Sequence, residues 1–282
     1  MWGDYMIIIG EKINATRKSI SKAILSKDKD AIIKQIKKQD DAGARYIDLN
    51  AGTGEGGQEK EIENMLWLIE LALDNTEKSL SIDSADPVII KKAAEFLEGK
   101  REWMLNSVKN DQSLLEELMP VAAEYESPVI CLSMSGESIP QTVEERVENC
   151  QMIFDAGKKA GIKPENLFFD PLVIPISSNH TYGKLTIDTL HAIKKEFPES
   201  RTTMGVSNVS FGLPHRAQIN NALLMISISH GLDSAICDPT KKSTRRAILL
   251  GQLIAGRDRY CRRYTRAARQ GLFKKKKRGK KK

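Results

Sequence analysis

The sequence has few of the residues that build metal centres or disulfide frameworks. Its four cysteines and four histidines are scattered over 282 residues, without a CxxC pair, an HExxH motif or two histidines at helical spacing. Zinc sites and disulfide-rich domains depend on such spacings. We therefore expect no catalytic metal, and we interpret the cysteines as reduced thiols of a cytoplasmic protein.

Long apolar runs are also missing. No stretch approaches the roughly 18–20 apolar residues that cross a bilayer, and Met6–Ile9 is too short for the apolar region of a signal peptide. The composition, 40% hydrophobic and 29% charged, is typical of a globular protein. We predict one large domain and no membrane partner.

The net charge of +7 is unevenly placed. Lys274–Lys277, Arg278 and Lys280–Lys282 carry about eight positive charges, so the body before them is predicted to be near neutral. Such a block repels itself, and residues 266–282 are predicted to form a disordered basic tail. Binding to nucleic acid or to a membrane surface is the alternative, but we favour a solvated tail and expect no specific nucleic-acid partner.

Eight short apolar runs alternate with stretches of helical periodicity, at spacings of roughly 25–40 residues. The predicted strands are Ile7–Ile9, Tyr46–Leu49, Leu80–Ile82, Trp103–Leu105, Val129–Leu132, Leu167–Phe169, Thr203–Val206 and Ser234–Cys237. Eight strand–helix units predict a single (β/α)8 TIM barrel, an α/β fold, over residues 1–265. A doubly wound open sheet is the alternative.

Polar side chains follow most of the predicted strands. In a (β/α)8 barrel the outgoing strand ends form the active face. The residues there are Asn14, Asp48, Asn50, Asp83, Asn106, Asp170, Ser207, Asn208 and Asp238, with Lys12 and Arg216 as the expected cations. A face rich in acceptors suits a ligand with many N–H groups. A reduced pterin has an amino group beside a ring N–H, which one carboxylate can bind together, and asparagine suits the mixed remaining edge.

Other interpretations of these residues remain open. Gly52, Gly54 and Gly57 match a GxGxxG dinucleotide pattern after a strand, although a single match is weak. Asp48 could be a structural loop-capping carboxylate, and Asp238 before a proline is typical of a turn or helix cap. Three polar residues on separate strand ends, Asp83, Asn106 and Asp170, together favour a functional site.

At these positions the sequence resembles the pterin-binding methyltransferases, most closely the methyltetrahydrofolate:corrinoid protein methyltransferase family. That family includes the tetrahydrofolate-linked component of O-demethylase systems. The resemblance covers nearly all of Met6–Tyr260, and Ser-Asn-Val-Ser is its most specific element. The motifs are Gly10-Glu11-Lys12-Ile13-Asn14, Asp48-Leu49-Asn50, Ile82-Asp83-Ser84, Leu105-Asn106-Ser107, Phe169-Asp170-Pro171-Leu172 and Gly205-Val206-Ser207-Asn208-Val209-Ser210.

The resemblance implies a pterin-binding TIM barrel, a homodimer, and methyl transfer between tetrahydrofolate N5 and the cobalt of a corrinoid (cobalamin) on a partner protein. It assigns catalysis to Asn208 and Asp83. It assigns substrate binding to Asp83, Asn106, Asp170, Ser207, Asn208, Asp48, Asn50 and Arg216, the last within a variable segment. The loop Val173–Tyr182 would shape the docking rim.

Two other functions stay open beside methyl transfer. Dihydropteroate synthase shares the fold, although that enzyme normally has Ser-Arg-Lys where this chain has Ser207-Asn208-Val209. A non-catalytic pterin-binding module is the second alternative.

Overall fold

The computed structural model describes residues 6–136 and 138–274. Within them, eight strands form one parallel sheet. The strands are β1 (Ile7–Asn14), β2 (Tyr46–Asn50), β3 (Ser79–Asp83), β4 (Trp103–Asn110), β5 (Val129–Ser135), β6 (Leu167–Asp170), β7 (Arg201–Thr202) and β8 (Ser234–Cys237).

The sheet closes into a barrel. Neighbours along the chain are neighbours in the sheet, and β8 returns to pair with β1, where Ile7 lies opposite Ser234. Between β7 and β8 the pairing is reduced to one bridge, Gly205 with Ile236. The Ile236 N–H donates to the Met204 carbonyl over 2.9 Å there. The predicted (β/α)8 barrel is confirmed, and the open sheet is excluded.

Ten α-helices accompany the strands in the described residues. They are α1 (Lys18–Leu25), α2 (Lys29–Asp41), α3 (Gly57–Asn75), α4 (Pro87–Leu97), α5 (Gln112–Glu124), α6 (Val143–Ala160), α7 (Tyr182–Glu196), α8 (Arg216–Ser229), α9 (Lys242–Ile254) and α10 (Arg262–Arg269). The sequence predicted α2 to α9; α1 and α10 are additions. No helix among these combines the length and apolar character needed to cross a membrane.

Local sequence explains where several helices begin. Asp28, Asp86 and Asp111 each accept a hydrogen bond from a backbone N–H of the first turn. Thr142 and Glu145 form a reciprocal capping box at the start of α6. The apolar faces of these helices then pack on the outside of the sheet in one large cluster. The barrel is therefore rigid behind its polar strand ends.

The seventh strand differs from its prediction. Regular strand covers only Arg201–Thr202, and residues Val206–Ser210 form a 3-10 helix. The chain stays extended as far as Gly205, since the Thr203 N–H donates to the Phe169 carbonyl. The turn then closes when the Asn208 N–H donates to the Gly205 carbonyl over 3.2 Å. As a result, Ser207 and Asn208 lie on a tight turn above the barrel rather than at a strand end.

The packed chain extends past the predicted boundary at residue 265. Helix α10 lies against α9, where Ala267 and Leu272 are buried with Leu249. The Arg246 side chain donates two hydrogen bonds to the Leu272 carbonyl, at 2.8 and 2.6 Å. Apolar and hydrogen-bonding contacts thus hold the chain as far as residue 274. The rest of the predicted tail, residues 275–282, lies outside the described residues.

Candidate active site

The polar strand ends meet at one edge of the barrel. The register of the parallel strands places Asp83 beside Asn106, and Asn14 beside Asn50. Asp170 lies on β6, two strands further round than Asn106, opposite Leu132 of β5. The side chains predicted from separate strands therefore surround a common mouth.

Asp83 is held by two asparagine amides. Its Oδ2 atom accepts from Asn50 Nδ2 at 3.1 Å and from Asn14 Nδ2 at 3.4 Å. Both amides are oriented by backbone donors, because Gly52 N donates to Asn50 Oδ1 and Thr16 N donates to Asn14 Oδ1. Asp83 Oδ1 accepts no hydrogen bond from the described residues, so it is available to a ligand.

Asp48 lies behind Asn106. The Asp48 side chain is 2% exposed, and its Oδ1 accepts from Ser81 Oγ at 2.7 Å and from Asn106 Nδ2 at 3.1 Å. This contact turns the Asn106 carbonyl oxygen away from Asp48. Direct substrate binding was predicted for Asp48, but its geometry suits positioning of Asn106.

Burial raises the pKa of three carboxyls at the mouth. The pKa of Asp48 is raised to about 8, first by burial and then by repulsion from Asp83. The pKa values of Asp83 and Asp170 are each raised to about 6, mainly by burial. Carboxyls that titrate this close to neutrality can exchange protons under physiological conditions. Ionisation is therefore opposed most strongly at Asp48, which lies deepest of the three.

A buried arginine stabilises the chain around Asp170. Asp170 Oδ1 accepts from the Leu172 N–H at 2.8 Å, and the carboxylate also accepts from the Gly205 N–H. Leu172 has a left-handed backbone, with φ of 61°, which is unusual for a branched side chain. Arg146, which is 0% exposed, donates to the carbonyls of Pro171 and Leu172. Asp170 and Arg146 together fix this strained turn.

The turn that carries Ser207 and Asn208 is braced from two sides. Ser207 Oγ donates to Glu11 Oε2 at 3.1 Å, and Glu11 also pairs with Arg17 at 2.8 Å. Arg216 donates to the Ser207 carbonyl at 2.6 Å and to Ser210 Oγ at 3.0 Å. Arg216 was predicted to bind substrate, yet these bonds engage its guanidinium in holding the turn. Ser207 likewise connects the turn to β1.

Asn208 is exposed, as is Arg216 among the predicted residues. Its side-chain amide makes no hydrogen bond within residues 6–136 and 138–274. The amide lies over Gly205, where a Cβ atom would be 3.1 Å from Asn208 Nδ2. Because Gly205 has no side chain, the amide can rest there with its donor and acceptor free.

The cation at the mouth is paired. Lys12 Nζ lies 3.4 Å from Asp238 Oδ2, and Asp238 Oδ1 accepts from the Thr240 N–H at 3.0 Å. Asp238 therefore caps the turn after β8 and neutralises Lys12.

Sequence reasoning did not single out two residues of this site, Glu11 and Arg146. Burial raises the pKa of Glu11 despite its ion pair with Arg17. Glu11 follows the first apolar run, and this position could have identified it as a site residue in the same way as Asn14. Arg146 lies on the inward face of α6 with Cys150 and Ile153. Its helical spacing from these apolar residues could have predicted a buried arginine.

The chain is similar to known proteins that bind pterins or transfer methyl groups. The profile of a family described as pterin binding enzyme matches residues 10–238. A methylcorrinoid:tetrahydrofolate methyltransferase from Eubacterium limosum is 35% identical over 269 residues, which cover 94% of this chain and 97% of the relative. Methionine synthase from Mycobacterium tuberculosis is 26% identical over 250 residues, which cover 84% of this chain but 20% of that enzyme.

Solved structures share the fold. Yersinia pestis DHPS with a pterine-sulfa conjugate superposes with a TM-score of 0.69 at 18% identity, covering 89% of this chain and 94% of that one. Dihydropteroate synthase from Stenotrophomonas maltophilia gives 0.66 at 20% identity, with coverage of 89% and 93%. At these identities the likeness shows the barrel alone.

The first prediction concerns proton linkage at Asp48. A carboxyl whose pKa is higher in the folded than in the unfolded state loses stabilisation as pH rises between those values. Asp48→Asn keeps both accepted hydrogen bonds and removes the titration. Each pH unit between the unfolded and folded pKa values is worth at most about 1.4 kcal/mol, so we expect the stability of the variant relative to the parent to rise by up to about 4 kcal/mol between pH 5 and pH 8.

Asp238→Asn is the control, because its effect on stability should have the opposite pH dependence. Burial opposes ionisation of Asp238, but the Thr240 hydrogen bonds and Lys12 outweigh it and lower the pKa. This variant should lose stability at pH 8 and recover it in acid. Thermal unfolding scans at both pH values measure the two effects. Equal pH dependence in the parent and Asp48→Asn would contradict the assignment.

Proposed function

This chain belongs to the pterin-binding enzymes, and from that premise we propose methyl transfer between N5 of tetrahydrofolate and the cobalt of a corrinoid on a partner protein. The chain is a methyltransferase. The observation that carries the proposal is the 35% identity with the Eubacterium limosum methylcorrinoid:tetrahydrofolate methyltransferase over nearly the full length of both proteins. The proposal covers transfer in either direction.

The mouth supports binding of the pterin ring. Asp83 Oδ1 and the Asn106 carbonyl oxygen are acceptors whose other contacts are already made inside the protein. Asp170 adds a buried carboxylate from β6. The amino and ring N–H groups of a reduced pterin would supply the donors that these oxygens lack. Substrate binding thus falls to Asp83, Asn106 and Asp170, with Asn50 orienting the first and Asp48 the second.

Asn208 would act at the methyl-bearing nitrogen. Its amide is exposed and free, so Nδ2 could donate to the lone pair that develops on N5 as the methyl group leaves, and Oδ1 could accept from a protonated N5. The amide is neutral and cannot deliver a proton as an acid, so its contribution is electrostatic stabilisation in the transition state. The proton at N5 would come from solvent through the carboxyl network. Asp83, with a pKa near neutrality, is its best-placed member.

The corrinoid supplies the cobalt that accepts or gives the methyl group, and it is too bulky to enter the barrel. It would arrive on a partner protein that docks at the mouth. The loop Val173–Tyr182 borders that route, because Ser177 Oγ donates to the Phe211 carbonyl at 2.7 Å. Phe211 is 65% exposed beside the Asn208 turn. This rim would contact the partner.

The family resemblance and the thiols bear on the oligomeric state and on the cellular location. We infer a homodimer, as the family resemblance implies. We infer a cytoplasmic location because all four cysteines are unpaired, Cys131, Cys150 and Cys237 in the core and Cys261 at the surface.

Condensation on a dihydropterin is the competing activity. The dihydropteroate synthase structures share the barrel, but that enzyme normally has Arg and Lys where this chain has Asn208 and Val209. Incubation with para-aminobenzoate and pterin pyrophosphate tests for it. Release of pyrophosphate would favour condensation, and methyl transfer would exclude a purely non-catalytic pterin module.

The direct test follows cobalt by absorbance. The enzyme is mixed with methylcobalamin, free or on a corrinoid protein, and with tetrahydrofolate. We expect the methyl–cobalt spectrum to decay in proportion to enzyme. An unchanged spectrum in both this direction and the reverse would contradict the proposal.

Removal of the Asn208 amide should slow chemistry more than binding. Loss of one stabilising donor costs roughly 10²–10³ in rate, so we expect that fall in kcat for Asn208→Ala, with folate affinity within about threefold. Gly205→Ala tests the same role indirectly, because the new Cβ would displace the amide. Its backbone, with φ of −77°, tolerates alanine. Normal kcat in Asn208→Ala would refute the role.

Neutralising Asp83 should weaken folate binding. In Asp83→Asn the ionised acceptor is lost and the Asn50 and Asn14 amides face a partly donating group, so we expect at least tenfold weaker binding by calorimetry at pH 7.5. Asp86→Asn, at the start of α4, is the matched control. Unchanged affinity in Asp83→Asn would contradict its role.

A further inference from the structure

Strand β1 contains one residue more than the strand beside it. Between Gly10 and Ile13 the register of β1 with β2 shifts by one residue. Glu11 and Lys12 therefore lie opposite a single residue of β2, Asp48. An extra residue of this kind is a β-bulge, which frees a backbone N–H from the ladder and turns the side chains after it to the other face.

The bulge decides which way the end of β1 faces. Before it, Ile7 and Ile9 belong to a cluster made only of strand residues, inside the barrel. After it, Ile13 packs in the outer cluster together with the helices. Unbroken alternation would place Ile13 inside with Ile9 and would turn Asn14 outwards, because side chains repeat their direction every second residue. The bulge is therefore what brings Asn14 to Asp83.

A buried glutamine holds this bulge. Gln39 lies on the core-facing side of α2 with Ile32 and Ile36, and it is 0% exposed. Its Oε1 atom accepts a hydrogen bond from the Lys12 N–H at 2.9 Å. Gly10 leaves room for the amide, because a Cβ atom there would lie 2.5 Å from Gln39 Oε1. The Gln39 amide thus fits between helix and strand and replaces a ladder hydrogen bond that the bulge removes.

Packing alone does not explain a glutamine at this position. Its helical spacing from Ile32 and Ile36 predicts an apolar residue. Gln39 Nε2 is buried and has no hydrogen-bond partner within the described residues, which costs free energy. What glutamine provides is the acceptor for the Lys12 N–H, and hence a fixed backbone at the bulge.

The side chains around the bulge reach both halves of the site. Asn14 Nδ2 donates to Asp83 Oδ2 at 3.4 Å. Glu11 Oε2 accepts from Ser207 Oγ at 3.1 Å, on the turn that carries Asn208. One strand therefore contacts both the carboxylate proposed to bind the pterin and the turn whose amide is proposed to act at N5.

We propose that Gln39 is a positioning residue for methyl transfer, which acts through the β1 bulge on Asn14 and Glu11. The inference rests on the proposed function, which gives Asp83 and Asn208 their roles. Gln39 lies behind the strand and would not touch the substrate. A displacement of about 1 Å at a reacting group can cost about 10²-fold in rate, so a loosened bulge would weaken folate binding and slow transfer.

Two substitutions separate positioning from stability. Gln39→Met removes the acceptor and keeps the length of the side chain. Gln39→Glu keeps an acceptor oxygen for the Lys12 N–H but buries an ionisable group, which lowers stability. The matched control is Gln252→Met, which replaces another buried glutamine with an unpaired Nε2, on α9. For each protein we would measure Tm, the Kd for tetrahydrofolate by calorimetry, and kcat with methylcobalamin.

We expect Gln39→Met to raise the folate Kd and to lower kcat by about fivefold or more each. Gln39→Glu should stay within about twofold of the parent in both values despite its lower Tm, because it keeps the acceptor. Gln252→Met should also stay within about twofold of the parent. If Gln39 served stability alone, affinity would instead follow Tm across the set.

Gly10→Ala gives a second route to the same contact. The new Cβ would displace the Gln39 amide, so we expect losses like those of Gln39→Met. In a Gln39→Ala background the Cβ of residue 39 would be 3.5 Å away, and Gly10→Ala should then change the folate Kd by less than about twofold. This pair decides the question if Gln39→Met does not fold.

Parental folate Kd and kcat in Gln39→Met would overturn the proposal. Equal losses in Gln39→Glu or in Gln252→Met would also overturn it, because they would indicate an effect of stability. Hydrogen exchange tests the bulge without the proposed function: the amides of Lys12 and Val206–Ser210 should exchange faster in Gln39→Met than in Gln252→Met. If the parent neither binds folate nor demethylates methylcobalamin, the proposed function fails, and equal exchange in these two variants would still overturn this inference.

Discussion

Buried carboxylates held by amides rather than by cations are the constraint on which this site depends. Two asparagines hold Asp83, and Ser81 with Asn106 holds Asp48. An amide satisfies a carboxylate oxygen without cancelling its charge, so burial and mutual repulsion keep the pKa values high. A cation in the same place would lower the pKa values and remove the attraction for a ligand rich in N–H groups. The amide N–H groups are used in holding the carboxylates, so the site offers a ligand acceptors but few donors.

The arginines near the mouth serve the backbone instead. Arg146 and Arg216 donate to main-chain carbonyls at the turns after β6 and β7. Asp170 ends β6 just before the first of these turns, and Asn208 lies within the second. These carbonyl contacts keep the two side chains in place, although neither arginine forms a hydrogen bond with a carboxylate at the mouth. The barrel supplies rigidity, and these two residues extend it to the turns.

The sequence predicted the barrel because strand and helix periods alternate eight times, and it predicted the mouth because polar residues follow those strands. What it could not supply were the partners of each side chain. Asp48 and Asp83 have the same chemistry and similar positions in the pattern, yet one faces inward and the other faces the mouth. The sequence predicted that Arg216 binds the ligand. Its hydrogen bond to the Ser207 carbonyl depends on a 3-10 turn, which the apolar run Thr203–Val206 did not predict. The sequence analysis did not predict helix α10, because this helix is highly charged and makes few apolar contacts.

The single bridge between Gly205 and Ile236 makes the barrel wall unequal in strength. Elsewhere in the sheet adjacent strands share two or more paired residues, whereas here closure depends on one pairing and on side-chain bonds such as Ser234 Oγ to the Thr202 carbonyl. Local opening starts where few backbone bonds must break. We therefore expect the backbone amides at this junction to exchange with solvent faster than those of the fully paired strands.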